Sequence, residues 1–250
     1  MKRAVAIIMQ HIRCAWPCLL FVSPAQGTVV ACGGDNQWPP SSYRMAAAAD
    51  VQGYSPDVLH AVLGGKSAVQ VRLMPFARCL ALAEQGRQVQ IVMAASRSPE
   101  RERHFLFTRS YLQLHPVSLT LQFAQVGAKP LPWCGLNGFN YQAFGVSADA
   151  LDRGSSTYPD MLRKLRAGRC RGFVEFREVW QGLLKQGVLR PEELPPLKMQ
   201  PLPGRPPVSL AFMVSKQYAD AQGLRRRLDR GLQALQMRGG QRMLLERQLH

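Results

Sequence analysis

IVMAASRSPER, residues 91–101, is the stretch that decides the fold of this 250-residue chain. Its apolar first half predicts a buried strand, and the small hydroxyl residues, proline and arginine that follow predict a compact turn at the carboxyl end of a sheet. Arginine binds a carboxylate through two hydrogen bonds, and serine hydroxyls with free backbone amides complete such a shell. Residues 96–101 alone are equally typical of an exposed surface turn, so their neighbours decide whether they form an anion site.

Strands and helices alternate in short units around this stretch. Proline opens and glycine closes several of the helices, as at Pro75 and Gly86. This alternation is typical of α/β proteins, and the extended segments between units predict two α/β lobes joined by crossovers. Strands are predicted at residues 28–33, 69–74, 89–95, 172–176 and 208–214, an extended segment at 116–123, helices at 55–64, 76–85, 158–167 and 219–249, and turn-rich or irregular segments at 127–138 and 191–207.

Composition is that of a globular protein with a basic surface. The chain is 46% apolar, and its formal net charge of +16 favours anionic partners such as nucleic acids, acidic membranes or small anions. The arginines are spread along the chain without a zinc-finger or ribonucleoprotein motif, and the dense cluster at residues 225–230 lies on a predicted amphipathic helix. We therefore interpret the basic residues as a solvated face and predict no nucleic-acid binding.

Residues 1–27 resemble a secretory signal peptide in composition. A basic start precedes a short apolar core at residues 14–22, and residues 23–27 supply small residues for cleavage. The core is shorter than the roughly 20 apolar residues that a membrane-spanning helix needs. We therefore predict export of the chain, with a cytoplasmic chain that has an irregular start as the alternative.

Four cysteines remain once residues 1–27 are removed, namely Cys32, Cys79, Cys134 and Cys170. An even number of cysteines in an exported protein predicts two disulfides, for which the sequence alone permits three pairings. The cysteines and histidines lack the spacing of zinc ligands, so we predict no metal site.

The order of several short motifs resembles a known family of receptors. The first half of the chain contains WPP at residues 38–40, GYSPDVL at 53–59, MPFAR at 74–78 and SPER at 98–101. The second half continues with GFNY at residues 138–141 and SLAFMVS at 209–215. In order and spacing the set is similar to the family 3 bacterial extracellular solute-binding proteins, the periplasmic receptors of polar amino acid ABC transporters. The resemblance covers residues 28–249.

The resemblance implies a fold, a location and a function. The fold would be α/β, of the type II periplasmic binding protein kind, in which two lobes enclose a ligand cleft and each lobe is a mixed sheet flanked by helices. Residues 28–114 and 209–250 would form lobe 1, and residues 115–208 would form lobe 2. The protein would be a periplasmic monomer without cofactor or catalytic residue. It would capture an amino acid or related organic acid and deliver it to an ABC transporter permease.

The resemblance also assigns ligand-binding residues in lobe 1. Arg101 matches the arginine that grips the α-carboxylate of the ligand, and Ser96 and Ser98 match the hydroxyl residues beside it. Trp38 matches the aromatic residue that stacks on the ligand, with a half-buried core residue near the hinge as an equal alternative.

Lobe 2 is where the sequence departs from the family pattern. Phe139 and Asn140 match the loop that donates to the same carboxylate. Glu175 lies next to the position of the aspartate that pairs with the ammonium group of the ligand, but Phe176 and Arg171 stand where the family has acids. Loss of that ion pair would cost an amino acid about 1.5–3 kcal/mol. Either a nearby glutamate substitutes for the missing acid or the ligand lacks an amine.

The same resemblance implies how the cysteines pair. It places Cys32 and Cys79 in lobe 1 and Cys134 and Cys170 in lobe 2. A disulfide between the lobes would prevent their closure. We therefore expect the pairs Cys32–Cys79 and Cys134–Cys170.

Two other functions are compatible with these residues. Some relatives of the family are periplasmic dehydratases that act on cyclic acids, and here the general acid or base would be Glu175, Glu178 or His104. A sensor or interaction domain with a degenerate pocket is the third interpretation, because Arg101 is retained while the ammonium-pairing acid is lost. Turnover of a prephenate-like acid would identify the enzyme, and ligand-dependent melting that is insensitive to Arg101→Ala would identify the sensor.

Overall fold

Two mixed β-sheets, each flanked by helices, make up the protein in a computed structural model that describes residues 28–45, 50–122, 131–137, 139 and 141–250. The predicted α/β architecture with two lobes is therefore confirmed. The predicted signal peptide, residues 1–27, and the candidate residue Asn140 lie outside the described residues. Among the residues described, no helix is both long and apolar enough to cross a membrane.

The first sheet contains the strands that precede residue 115 and one strand from near the carboxyl terminus. Its order is β2-β1-β3-β11-β4, and β5 also pairs with β11. Strand β1 runs parallel to β2 and β3, while β11 is antiparallel to β3, β4 and β5. These strands are β1 (Val29–Gly34), β2 (Val69–Met74), β3 (Ile91–Ala95), β4 (Phe105–Phe107), β5 (Leu112–Leu114) and β11 (Val208–Ser215).

Five helices of the described chain accompany this sheet. They are α1 (Tyr54–Leu63), α2 (Phe76–Gln85), α3 (Pro99–His104), α6 (Ala221–Met237) and α7 (Gly240–Leu249). Helix α1 contacts both α6 and α7, and its Leu59 is buried together with Leu228 of α6. The helical segment predicted at residues 219–249 is divided into α6 and α7 at Gly239, which adopts a left-handed backbone conformation.

The second sheet is built from the middle of the chain, in the order β10-β6-β9-β7-β8. Its strands are β6 (Pro116–Leu121), β7 (Trp133–Leu136), β8 (Leu151–Ser155), β9 (Gly172–Phe176) and β10 (Leu197–Pro201). Its helices are α4 (Tyr158–Arg166) and α5 (Arg177–Lys185), with short 3-10 helices at Gln142–Phe144, Ala148–Ala150 and Pro191–Glu193. We refer to the first sheet with its helices as lobe 1 and to the second sheet with its helices as lobe 2.

Three strands of lobe 2 differ from the sequence-based expectation. Strand β10 lies in the segment predicted to be irregular, and it forms an exposed edge of the sheet, where proline is tolerated. Strand β7 lies in the segment predicted to be turn-rich, and β8 is a polar edge strand without an apolar alternation. In each case pairing with a neighbouring strand outweighs the weak local signal.

The start of α1 also differs from the expectation. The helix begins at Tyr54 with Gly53 at the cap position, and no side chain caps it, although a serine at the predicted start, Ser55, is a residue type that often does so. Ser55 is buried inside the first turn, where its hydroxyl lies 2.8 Å from that of Ser41 and 2.6 Å from that of Tyr111. The serine therefore joins the helix to the rest of lobe 1.

Helix α5 of lobe 2 is anchored where the chain crosses between the lobes. His115 separates β5 from β6, and its backbone N–H donates to Glu178 of α5 over 2.8 Å. The other carboxylate oxygen of Glu178 lies 2.6 Å from the His115 Nδ1. One turn further on, a Cβ at Gly182 would lie only 2.8 Å from the backbone of Pro39 in lobe 1. Glycine is therefore required for this close approach between the lobes.

Each lobe contains one disulfide. Cys32 of β1 is bonded to Cys79 of α2, and Cys134 of β7 is bonded to Cys170, which precedes β9. The predicted pairing within lobes is confirmed. All four cysteines are buried, so each bond ties elements of one core together.

The disulfides should contribute measurably to stability. They close segments with sequence separations of 47 and 36 residues. Because a crosslink restricts the unfolded chain, we expect Cys134→Ala/Cys170→Ala to lose about 2–4 kcal/mol of unfolding free energy. Urea denaturation measures the loss of unfolding free energy. In the variant, dithiothreitol should reduce stability further only by breaking the remaining disulfide, Cys32–Cys79. An unchanged unfolding free energy would contradict a structural role for the disulfide.

Candidate ligand-binding site

A cavity of about 310 Å³ lies between the two lobes. In lobe 1 its lining follows the carboxyl ends of three parallel strands, with Trp38 after β1, Phe76 after β2 and Ser96 after β3. In lobe 2 it follows β7 with Phe139 and includes Glu175 at the end of β9. Ligands of open α/β sheets bind at this edge, which makes the cavity the candidate site.

Arg101 is the cationic side chain that the described lining contributes to this cavity. Helix α3 positions it, because Pro99 begins the helix and the Ser98 hydroxyl accepts a hydrogen bond from the Arg101 backbone N–H over 3.3 Å. Its guanidinium Nη1 donates to the backbone oxygen of Ser96 at 2.9 Å and to the Ser96 hydroxyl at 3.2 Å. The guanidinium also lies 5.7 Å from the centre of the Phe76 ring.

Arg101 forms no salt bridge with any carboxylate in the described part of the chain, where the neighbouring Glu100 acts on its charge without contacting it in an ion pair. Burial lowers the pKa of Arg101. Arginine nevertheless stays protonated in proteins. The site therefore presents a half-buried positive charge to whatever occupies the cavity.

Glu175 is the acidic side chain of the described lining, and it is only 5% exposed. One carboxylate oxygen accepts from the Tyr158 hydroxyl at 2.6 Å, and the other accepts from the backbone N–H of Phe176 at 2.8 Å. Burial raises the pKa of Glu175 to about 7, although both hydrogen bonds oppose that change. Near neutral pH the group is therefore divided between its neutral and charged forms.

Aromatic rings form much of the wall between these two groups. Trp38 of lobe 1 meets Phe176 of lobe 2 edge to face at 6.4 Å, and Phe176 lies 4.7 Å from Phe144. Phe139 lies 6.5 Å from Tyr158, the partner of Glu175. The indole Nε1 of Trp38 is buried and has no hydrogen-bond partner among the described residues. The wall is thus apolar, with an unsatisfied donor on Trp38.

Most of the predicted site residues meet at this cavity. Its lining includes Arg101, Ser96, Trp38, Phe139 and Glu175. Trp38 borders the cavity and also packs against the hydrophobic core, so its position is compatible with both interpretations of this residue.

Ser98 does not line the cavity, in contrast to its predicted role. Its hydroxyl instead caps α3 and so holds Arg101 in place. Asn140 remains a prediction, since it lies outside the described residues. His104 and Glu178, the other candidate acids or bases, are also absent from the described lining.

Sequence reasoning missed several aromatic residues of the wall. The sequence predicts Phe76 only as the first residue of a helix, although Phe76 lies within the MPFAR motif. Tyr141 and Phe144 belong to a 3-10 segment whose sequence shows no periodicity. Tyr158 was identified only as a helix residue, and its contact with Glu175 depends on the packing of α4 against the second sheet.

A larger depression of about 490 Å³ lies on lobe 1 and is not the stronger candidate. Several of its charged and polar side chains already pair with one another. Lys66 contacts Asp50 at 2.7 Å, and Gln248 donates to Asp57 at 3.1 Å. No residue of lobe 2 borders it within the described chain, so lobe closure would not enclose a ligand there.

Solved structures similar to this chain define its class. The arginine-, lysine-, histidine-binding protein ArtJ from Geobacillus stearothermophilus has a TM-score of 0.67 and 16% identity over 88% of this chain and 94% of its own. The ancestral amino acid-binding protein AncCDT-1, a precursor of cyclohexadienyl dehydratase, has a TM-score of 0.66 and 17% identity over 90% and 96%. A histidine kinase sensor domain with similarity to periplasmic binding proteins has a TM-score of 0.67 and 20% identity over 90% and 97%. The fold is that of the two-lobed periplasmic binding proteins.

The family follows from the sequence itself. The profile of the bacterial extracellular solute-binding proteins, family 3, matches residues 30–247. The chain belongs to this family, as its motifs predicted. No curated protein sequence matches the chain.

The protonation of Glu175 predicts how stability changes with pH. Its pKa rises from 4.5 to about 7 on folding, so the folded state holds more protons than the unfolded state in this range. The resulting stabilisation, about 3 kcal/mol, is fully present below the unfolded pKa and is lost as the pH rises through 7. We therefore expect the ligand-free protein to lose stability with rising pH relative to Glu175→Gln. Urea denaturation of both proteins over this range measures the difference, and parallel profiles would contradict the assignment.

Proposed function

We propose that this protein is a periplasmic solute-binding protein that captures a small ligand bearing a carboxylate between its two lobes. The observation that carries the proposal is the guanidinium of Arg101, which borders the interlobe cavity without a carboxylate partner in the described chain. A buried charge of this kind is stabilised by an anion that completes its hydrogen bonds.

Closure of the lobes supplies the affinity. The ligand would contact Arg101 and Ser96 in lobe 1 and Phe139 in lobe 2, so it stabilises the closed arrangement in which both sets of contacts exist. Hydrogen bonds to a charged group contribute about 1.5–3 kcal/mol. The aromatic wall excludes water and adds apolar contact area.

Delivery to an ABC transporter permease, export by residues 1–27 and a monomeric state complete the proposal. They are supported by membership of the solute-binding family. The proposed lobe boundaries, residues 28–114 and 209–250 against 115–208, are supported by the sheets, because the chain crosses between them after β5 and after β10. The proposed role is binding without catalysis.

A second candidate function is a dehydratase that acts on a cyclic acid. The observation that favours it is Glu175, a buried carboxyl group with a pKa of about 7 that borders the cavity beside the predicted carboxylate site. A group with this pKa can deliver a proton to a leaving hydroxyl. Turnover of prephenate by the purified protein, lost in Glu175→Gln, would establish the enzyme, and absence of turnover alongside tight ligand binding would establish the receptor.

Ligand-dependent melting tests the proposed function. A ligand at about a hundred times its dissociation constant should add about 2.7 kcal/mol, which raises the melting temperature by several degrees. We expect at least one member of a panel of amino acids, keto acids, dicarboxylates and aromatic acids to produce this shift. Arg101→Ala should abolish it, because the carboxylate would lose its cation.

The matched control is Arg97→Ala, which removes an exposed guanidinium from the same turn. Arg97 pairs with Glu102 at 3.0 Å and does not border the cavity within the described lining. The variant should therefore keep the ligand-dependent shift. A shift that survives in Arg101→Ala would contradict the proposed carboxylate site.

A further inference from the structure

We infer that the ligand of the interlobe cavity is a monocarboxylate with an apolar, flat body and no ammonium group. The inference rests on the proposed function, because it specifies the class of acid that Arg101 would hold. It is carried by the hydrogen-bonding state of the polar groups around the cavity, by their charge and by the apolar wall.

The cationic group at the cavity has N–H donors to spare. The Arg101 guanidinium uses only Nη1 in its hydrogen bonds to Ser96. Guanidinium carries five N–H donors, so several remain for a ligand. A carboxylate supplies acceptors to such groups, whereas an ammonium group brings only further donors.

The carboxylate that an ammonium group would need is buried and already accepts a hydrogen bond at each oxygen. Within the described lining the carboxylate is that of Glu175, and its two oxygens accept from Tyr158 and from the Phe176 backbone. All three residues belong to lobe 2, so these bonds persist whether the lobes are open or closed. With 5% of Glu175 exposed, little of the carboxylate surface remains for a ligand.

The charge of the cavity also favours a ligand without an ammonium group. Arg101 contributes a full positive charge, while burial leaves Glu175 partly neutral near pH 7. A ligand with a single negative charge balances this site. The carboxylate of a zwitterion would balance Arg101, but its ammonium group would then face a partly neutral Glu175, at a cost in desolvation.

The aromatic residues that line the cavity indicate the shape and polarity of the rest of the ligand. Rings of Trp38, Phe139, Phe144 and Phe176 border the cavity from both lobes. Aromatic side chains favour flat apolar groups, which pack against ring faces or edges. The cavity of about 310 Å³ lies at the small end of ligand sites, so an arylalkanoic acid with a single ring is the class that fits.

Matched pairs of ligands that differ only in the amine test the inference. We would measure binding of 3-phenylpropanoate and L-phenylalanine, and of 4-methylpentanoate and L-leucine, by calorimetry near pH 7. We expect each acid to bind at least about tenfold more tightly than its amino acid, with the aromatic acid the tighter of the two. The Glu175→Gln variant should retain the preference for the acid over the amino acid, because a glutamine side chain carries no negative charge that could attract an ammonium group.

The outcomes separate this inference from the proposed function. Tighter binding of the amino acids, with a loss of about tenfold or more in Glu175→Gln, would overturn the inference and make Glu175 the partner of the amine. If Arg101→Ala also abolished the binding of those amino acids, the proposed carboxylate site would still be supported. Binding that Arg101→Ala leaves unchanged, or no binding of any member of the pairs or of the wider acid panel, would overturn the proposed function as well.

Discussion

A positive charge held between two sheets without a salt bridge in the described chain is the constraint on which the proposed function depends. Arg101 is half buried, and its hydrogen bonds to Ser96 and its place above Phe76 satisfy only part of its guanidinium. Leaving such a group in an apolar cavity is costly unless an anion completes it. In the proposed function the carboxylate of the ligand supplies that anion. Ligand binding and lobe closure then favour each other, since the same contacts stabilise both.

Much of the fold serves to fix that charge and the surfaces that face it. Parallel strands bring residues from three separate loops of lobe 1 to one edge, and a serine-capped helix sets the direction of Arg101. A disulfide ties β1 to α2 beneath this edge. In lobe 2, Glu178 holds the crossover at His115, and Gly182 lets α5 approach the loop at Pro39. The two faces of the cavity thus meet in a defined geometry.

The sequence allowed the parts of this arrangement that depend on local pattern and motif order to be predicted. Residues 69–74 and 76–85 form the expected strand and helix, both disulfides pair as expected, and Arg101 borders the cavity. Strand β10 could not be predicted because an edge strand with prolines has little apolar alternation. The bond between Tyr158 and Glu175 depends on tertiary packing, so the motif gave no signal for it. The cap at Ser98 is local, and the motif assigned this residue a ligand-binding role without indicating the cap.

The most direct test of the central claim is a crystal structure of the protein grown with 3-phenylpropanoate. The account predicts density for the acid in the interlobe cavity, with its carboxylate on the Arg101 guanidinium and its ring between the aromatic side chains of the two lobes. Hydrogen bonds from Tyr158 and Phe176 to Glu175 would remain as they are without ligand. An occupied cavity in which the carboxylate lies away from Arg101, or an empty cavity at saturating acid, would contradict the account.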